Sequence, residues 1–361
     1  MNAKFARYHR QMLLPDIGES GQQRLADSSV LLLGCGALGS VAADMLARAG
    51  VGHLVIVDRD IVELTNLQRQ VLYDEQDVKD GLPKAEAAKR HILRINANVR
   101  VTAIVDDLNH TNIERYGGGA DVLVDGLDNL ETRYLANDLA VSRGIPYVYG
   151  AAVGTTGMSL PILPHSGKDT SWEQAGLATP CLRCLFEEAP PPGTMPTCDT
   201  AGVLGPVVAM VANFQVTETL KILTRNFSAV NRRMLHLDPW NNDMYHLDVA
   251  HAYESGNCPC CKRRSFDYLD GNAGSSAEVL CGRDAVQLRH RQRGDAMDFA
   301  ALAARLERFG EVKVNDFLLS ARIASDDDRF EITLFPDGRA IIKGTQQPDV
   351  ARTVYSRYIG S

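Results

Sequence analysis

The chain has 361 residues, 45% of them hydrophobic and 23% charged, with a formal net charge of −7. That is the balance of an ordinary globular protein. It argues against bulk nucleic-acid binding, which usually brings a basic excess, and no stretch approaches the roughly 20 apolar residues of a membrane span.

Ser29–Leu33 is a short apolar run, followed by Gly34-Cys35-Gly36-Ala37-Leu38-Gly39. Helical periodicity then covers Ser40–Ala49, and a second apolar run, His53–Val57, ends at Asp58. This is strand, glycine turn, helix, strand. Lys84–Ile95 reads as a helix, Arg100–Val105 and Asp121–Val124 as strands, Leu130–Arg143 as a helix and Pro146–Tyr149 as a strand. The alternation predicts an α/β fold: a doubly wound, Rossmann-like, mostly parallel sheet. His165–Asp199 holds Pro180, Pro190, Pro191, Pro192 and Pro196 and reads as a long irregular crossing segment. A helix near Val203–Leu223 and a hairpin of Met234–Leu237 with Met244–Leu247 follow.

Lys262–Ala277 reads as a linker. Beyond it, Val279–Leu288 is strand-like, Phe299–Phe309 helical, and Glu311–Ile323 holds one strand or two. Phe330–Phe335 and Ala340–Lys343 flank the turn signal Pro336-Asp337-Gly338-Arg339, and Asp349–Ile359 closes the chain as a helix. The expected organisation is a main domain over residues 1–264 and a small α+β domain over 275–361.

A GxGxxG loop alone is a weak signal, compatible with a dinucleotide oxidoreductase or with mere helix–strand packing. Its glycines permit a tight turn, and the helix after it points its N-terminus at phosphate. Asp58 ends a strand where an acidic residue commonly holds ribose. Asp60 and Asn66-Leu67-Gln68-Arg69-Gln70 follow, just beyond the strand's carboxyl end. Arg69 and Lys84 are cationic donors suited to a triphosphate. Asp128, in Asp125-Gly126-Leu127-Asp128-Asn129, suits magnesium, which an ATP site needs and a nicotinamide site does not. Asp before a helix is more commonly its cap.

Eight cysteines in a chain whose first ten residues carry no apolar run suggest a reducing cytoplasm, where they serve as metal ligands, reactive thiols or packing. Cys181-Leu182-Arg183-Cys184 and Cys258-Pro259-Cys260-Cys261 each contain a CxxC. Two such knuckles offer four thiolates for a structural zinc; two independent thiol pairs or a redox pair are the alternatives that spacing leaves open. Cys198 stands before the Val203 helix, where a thiol pKa can be lowered. Cys35 and Cys281 read as packing residues and Cys260 as a bystander.

The set Arg7-Tyr8-His9-Arg10-Gln11, the glycine loop, Asp58-Arg59-Asp60, Asn66-Leu67-Gln68-Arg69-Gln70, Pro83-Lys84, Asp128-Asn129 and the paired knuckles closely resembles the MoeB/ThiF family of ubiquitin-activating-like enzymes, over roughly residues 4–264. The resemblance implies adenylation, with ATP and Mg2+, of the C-terminal carboxylate of a small ubiquitin-like sulfur-carrier protein ending in Gly-Gly. Gly34, Gly36, Ala37, Gly39, Asp58, Asp60, Asn66, Gln68, Arg69, Lys84, Asp128 and Asn129 would form the nucleotide site. Ala37 stands where relatives often carry glycine. Asp58 would hold ribose, Asn66, Arg69 and Lys84 the phosphates, and Asp128 the magnesium, while Arg10 would reach the neighbouring subunit's site in a homodimer. Cys181, Cys184, Cys258 and Cys261 would bind Zn2+, and Cys198 would accept the activated acyl group, with a sulfur-donor protein as a further partner. The rival readings are a protein-binding scaffold without activity and a tRNA-modifying dehydratase of the same superfamily.

Overall fold

A computed structural model describes residues 3–167, 170–187, 201–273, 277–280, 284–288, 298–324, 329–336 and 339–359. The strands of the first sheet are β1 (Ser29–Leu33), β2 (His53–Val57), β3 (Arg100–Ile104), β4 (Val122–Asp125), β5 (Tyr147–Val153), β6 (Thr156–Ile162), β7 (Met234–Asp238) and β8 (Asp243–Leu247). The helices around it are α1 (His9–Met12), α2 (Gly18–Asp27), α3 (Ala37–Ala49), α4 (Glu75–Asp80), α5 (Lys84–Ile95), α6 (Ile113–Gly117), α7 (Leu130–Arg143), α8 (Ser171–Gln174), α9 (Leu182–Leu185), α10 (Gly205–Leu223) and α11 (Ala250–Glu254).

The strand order is β3-β2-β1-β4-β5-β6-β7-β8. β1 to β5 pair in parallel, and β6, β7 and β8 extend the sheet antiparallel. β1 is central, with Leu31 opposite both Val55 and Leu123. Parallel strands need cover on both faces. On one face Leu38 and Val41 of α3 meet Val207 and Val211 of α10 over Leu235 and Leu237. On the other, Ile113 of α6 and Leu135 and Leu139 of α7 pack on Leu31, Leu33 and Leu123. The doubly wound sheet read from the sequence is therefore present.

The sequence reading did not include β6, nor the helix α2 or the short helices α1, α4, α6, α8, α9 and α11. Gly150, Gly154 and Gly157 make the region of β6 look like a loop in sequence. In the fold Gly150 and Gly157 let α10 approach closely: a Cβ on Gly157 would lie 2.3 Å from Val211, and one on Gly150 2.4 Å from the Gln215 carboxamide.

Among the described residues, a smaller unit takes in 277–359 together with Ala201 and Gly202 from earlier in the chain. Its strands are β9 (Ala277–Leu280), β10 (Ala285–Leu288), β11 (Gly310–Val314), β12 (Leu319–Ala324), β13 (Arg329–Leu334) and β14 (Ala340–Lys343), and its helices are α12 (Phe299–Leu306) and α13 (Pro348–Tyr358). The antiparallel order is β11-β12-β13-β14-β10-β9. The single strand expected over Val279–Leu288 is instead a pair, β9 and β10, with Leu280 opposite Ala285. Asp284, at φ 46°, ends the reversal in a conformation that non-glycine residues seldom adopt. Leu302, Leu306, Val354, Tyr355 and Tyr358 pack on Val286, Ile332 and Ile342 to make the α+β layer. Among the described residues no helix is long and apolar enough to cross a membrane.

Candidate nucleotide site and candidate metal centre

β1 lies between β2 and β4, so chain direction across the sheet reverses between β1 and β4. Ligands of open α/β sheets bind at the carboxyl ends of strands at such a reversal. The loops after β1 and β4 carry the glycine motif and Asp128. Gly34 sits at φ 82°. A Cβ there would be 2.7 Å from the Gly126 oxygen, and one on Gly39 would be 2.2 Å from the Gly34 oxygen. These glycines thus let two loops and the first turn of α3 touch backbone to backbone. Gly36 differs: it is the N-cap of α3, with no side chain capping the helix. Four N–H groups at a helix start lack intrahelical partners, and at this crevice they suit phosphate.

Asp58 is buried and accepts from the Cys35 N–H at 2.6 Å and the Asp60 N–H at 2.8 Å. Burial pushes its carboxyl above the ordinary aspartate range, opposed by nearby Lys84. Lys84 is itself buried and donates from Nζ to Asp60 at 2.8 Å. Asp60 therefore holds the lysine at the start of α5. Tyr73 donates its hydroxyl to the Cys35 and Lys84 carbonyls at 2.6 and 3.2 Å, tying the glycine loop to α5. Burial pushes the Cys35 thiol up to about 12, which fits its packing role.

Asn66 is buried and accepts the Glu63 N–H at 3.0 Å, while its carbonyl accepts from Arg69 and Gln70. It builds the turn that carries Arg69, which is partly exposed and donates to the Thr65 carbonyl at 2.9 Å. Gln68 and Asp128 are exposed, and so is Arg10 on α1. The cap of α7 is Asn129, which accepts from the Thr132 N–H at 2.8 Å and donates to Asp128 at 3.2 Å. The Asp128 carboxylate is thus left out of the capping role, at the crevice.

Sequence reasoning missed the support beneath Asp128. Asp125 is fully buried and accepts from Arg133 Nε at 3.1 Å, the Tyr147 hydroxyl at 2.6 Å and the Leu127 N–H at 2.9 Å. Arg133 also donates to the Leu127 and Gly150 carbonyls. Burial opposes its charge, yet Asp125, Tyr149 and Tyr147 together hold the guanidinium pKa above its ordinary value. The available signal was an arginine at an inward position of an apolar helix.

The knuckles do meet. Sγ of Cys181 is 3.6 Å from that of Cys258, Cys184 is 3.4 Å from Cys261, and Cys184 is 3.9 Å from Cys181. All four sulfurs lie within 4.8 Å of one another. A tetrahedral ion with Zn–S near 2.3 Å sets sulfurs about 3.8 Å apart, so this donor set fits zinc. Cys260 instead accepts from Asn137 Nδ2 at 3.3 Å, outside the set. A second grouping, Asp74, Asp77 and His91, is engaged in capping α4 and in a 2.7 Å His91–Asp77 contact. Cys198 and Cys281 lie outside the described residues.

Comparison with known proteins follows the same outline. The ThiF family matches residues 8–260. The chain is 43% identical to the sulfur carrier protein ThiS adenylyltransferase of Bacillus subtilis over 98% of this chain and 99% of that one. It is 39% identical to the SAMP-activating enzyme E1 of Haloferax volcanii, over 73% of this chain and 91% of that one. Among solved structures, E. coli MccB with ATP shares the fold at TM-score 0.56 and 23% identity, over 68% of this chain and 72% of that one. The chain belongs to the ThiF family.

Proposed function

We propose that this chain is an ATP-dependent adenylyltransferase acting on the C-terminal glycine carboxylate of a small ubiquitin-like sulfur carrier. One observation carries the reading: 43% identity to a ThiS adenylyltransferase over nearly the whole of both chains. The H. volcanii enzyme, which activates a SAMP, supports the same carrier class.

In the reaction, a carboxylate oxygen of the carrier attacks the α-phosphorus of ATP. The bond to the bridging oxygen of the β-phosphate breaks, giving acyl-adenylate and pyrophosphate. The protein's part is positioning and charge stabilisation. We assign ribose to Asp58 and the phosphates to Arg69, Lys84 and the Asn66 turn. Asp60 keeps Lys84 in place while its charge is needed. We assign magnesium to Asp128; its chemistry is to neutralise phosphate oxygens. We assign structural zinc to the four thiolates. Arg10, exposed on α1, is assigned to the partner subunit's site in a homodimer. Cys198 is assigned as the sulfur that attacks the acyl carbon and releases AMP. The cytoplasm is the proposed location. Residues 275–361 are proposed as a separate α+β domain that serves either the dimer or the carrier.

ATP–pyrophosphate exchange with a ThiS-type carrier tests the reading. Exchange should require the carrier and vanish when its terminal glycine is removed. No carrier-dependent exchange by the wild-type protein would overturn it. Cys198→Ala should keep exchange and lose the reductant-sensitive covalent adduct on gels.

A further inference from the structure

Asn137 has no part in the mechanism above. It lies fully buried on α7, and both ends of its side chain are engaged. Oδ1 accepts the Leu182 N–H at 2.8 Å, and Nδ2 donates to Cys260 Sγ at 3.3 Å. Leu182 stands between Cys181 and Cys184, and Cys260 between Cys258 and Cys261. One carboxamide therefore bonds a residue inside each knuckle. Its partners fix its orientation: the Leu182 N–H needs an acceptor, which leaves Nδ2 for the sulfur. Any partner would satisfy a buried amide. These two belong to segments separated by 77 positions, whose cysteines must come together to hold an ion. Cys260 is itself fully buried and outside the four-sulfur set, so its sulfur can serve as an anchor rather than a ligand. α7 holds the flanks as well. Tyr134 donates its hydroxyl to the Phe186 carbonyl at 3.0 Å, and Asp138 accepts the Tyr268 N–H at 3.0 Å. Those bonds lie outside the knuckles; the Asn137 pair lies inside both.

We propose that Asn137 is a positioning residue of the zinc centre: its carboxamide clamps the two CxxC knuckles to α7 and to each other, with Cys260 as the anchor on the second knuckle. The inference rests on the reading that the four thiolates hold zinc. Residues that orient metal ligands from outside typically contribute about 10- to 100-fold to metal affinity. Asn137 does so by fixing the knuckles at their meeting distance, which lowers the ordering cost of binding.

The test uses Asn137→Leu, which removes both hydrogen bonds at similar volume, and Cys260→Ala, which removes the anchor alone. Zinc-loaded protein is mixed with a chromogenic chelator, and zinc affinity is read from the transfer at equilibrium. Co2+ put in place of zinc reports the ligand set through its thiolate absorption bands. Affinity should fall by about 10- to 100-fold in Asn137→Leu. It should fall by about 2- to 10-fold in Cys260→Ala, where one neutral hydrogen bond is lost. In the Asn137→Leu background, Cys260→Ala should cost less than about twofold more, because the bond is already gone. Every variant should keep the four-thiolate Co2+ spectrum of the wild type. Unchanged affinity in Asn137→Leu, whatever its Tm, overturns the assignment. So does full additivity of the two substitutions. A Co2+ spectrum with fewer thiolates in Cys260→Ala also overturns it, because Cys260 would then be a ligand. Should Asn137→Leu not fold, Cys260→Ala decides: weaker zinc with the four-thiolate spectrum supports the clamp, and unchanged affinity overturns it. Wild-type protein that holds no zinc sinks the zinc reading itself. Wild-type zinc with unaltered variants sinks only the role of Asn137.

Discussion

At the β1/β4 crevice, polar side chains hold one another around an uncapped helix end: Asp60 on Lys84, Asn129 on Asp128, Asn66 on its own turn. At the knuckles, four sulfurs converge on one another within 4.8 Å. The first arrangement leaves an exposed carboxylate and a helix start facing solvent. The second closes on a single point in a buried cluster that also contains Leu182 and Tyr147. An open set of donors serves a substrate that comes and goes. A closed set serves an ion that stays. Substitutions in the two regions should therefore fail differently, one in activity and the other in folding.

The largest effect is expected at the closed set. Structural zinc contributes roughly 10–16 kcal/mol to the folding of small zinc peptides, and each kcal/mol is worth roughly 2–4 °C in a domain of about 150–250 residues. Cys258→Ser should lose bound zinc by elemental analysis and lower Tm by more than about 10 °C. Chelation of the wild type should do the same. A metal-free protein with wild-type Tm would break the contrast, since the knuckles would then not be structural.

Next comes Arg133, which belongs to neither set yet supports the open one. Removing one partner of a buried ion pair costs about 3–5 kcal/mol, because the other charge is stranded. Arg133→Met should lower Tm by roughly 6–20 °C, with Asp125 left to Tyr147 and the Leu127 N–H. Combining it with Asp125→Leu should recover part of that loss, as apolar replacement of a whole buried pair often does. No recovery would mean that the pair does more than neutralise itself.

How much of this was legible follows from where each signal lives. The parallel strands and α7 could be read because their apolar periodicity is local, and Leu130–Arg143 begins and ends where the pattern does. The knuckle cysteines could be read as ligands, but their meeting across a sequence separation of 77 is a property of the fold alone. β6 was hidden because Gly157 within it and Gly150 on β5 answer to α10, far along the chain. Asp128 could be named and its cap alternative could not be dismissed; only the geometry assigns the cap to Asn129. Arg133 was passed over because burial, which gives it its meaning, is not written in a charged letter.

A third effect isolates the open set. Asp128 is exposed, so Asp128→Ala should leave Tm within about 1–2 °C, as surface substitutions usually do. Removing one preorganised group that stabilises transition-state charge typically costs about 10²–10³ in rate, and pyrophosphate exchange should fall by that order. Full exchange in Asp128→Ala would remove its assigned role.

The smallest effect separates two duties of one side chain. Asn129 caps α7 through its oxygen and holds Asp128 through its nitrogen. Asn129→Ala removes both: loss of an N-cap costs about 1 kcal/mol, hence a Tm drop of roughly 2–4 °C. Asn129→Asp keeps a capping oxygen and discards the donor, while setting a second negative charge beside Asp128. Its Tm should stay at wild type, since Asp caps as well as Asn. Its exchange rate should still fall by about tenfold, the low end of what one hydrogen bond to a charged group is worth. Equal Tm and equal exchange in Asn129→Asp would mean that Asp128 needs no neighbour to orient it, and the open set would then be held by backbone alone.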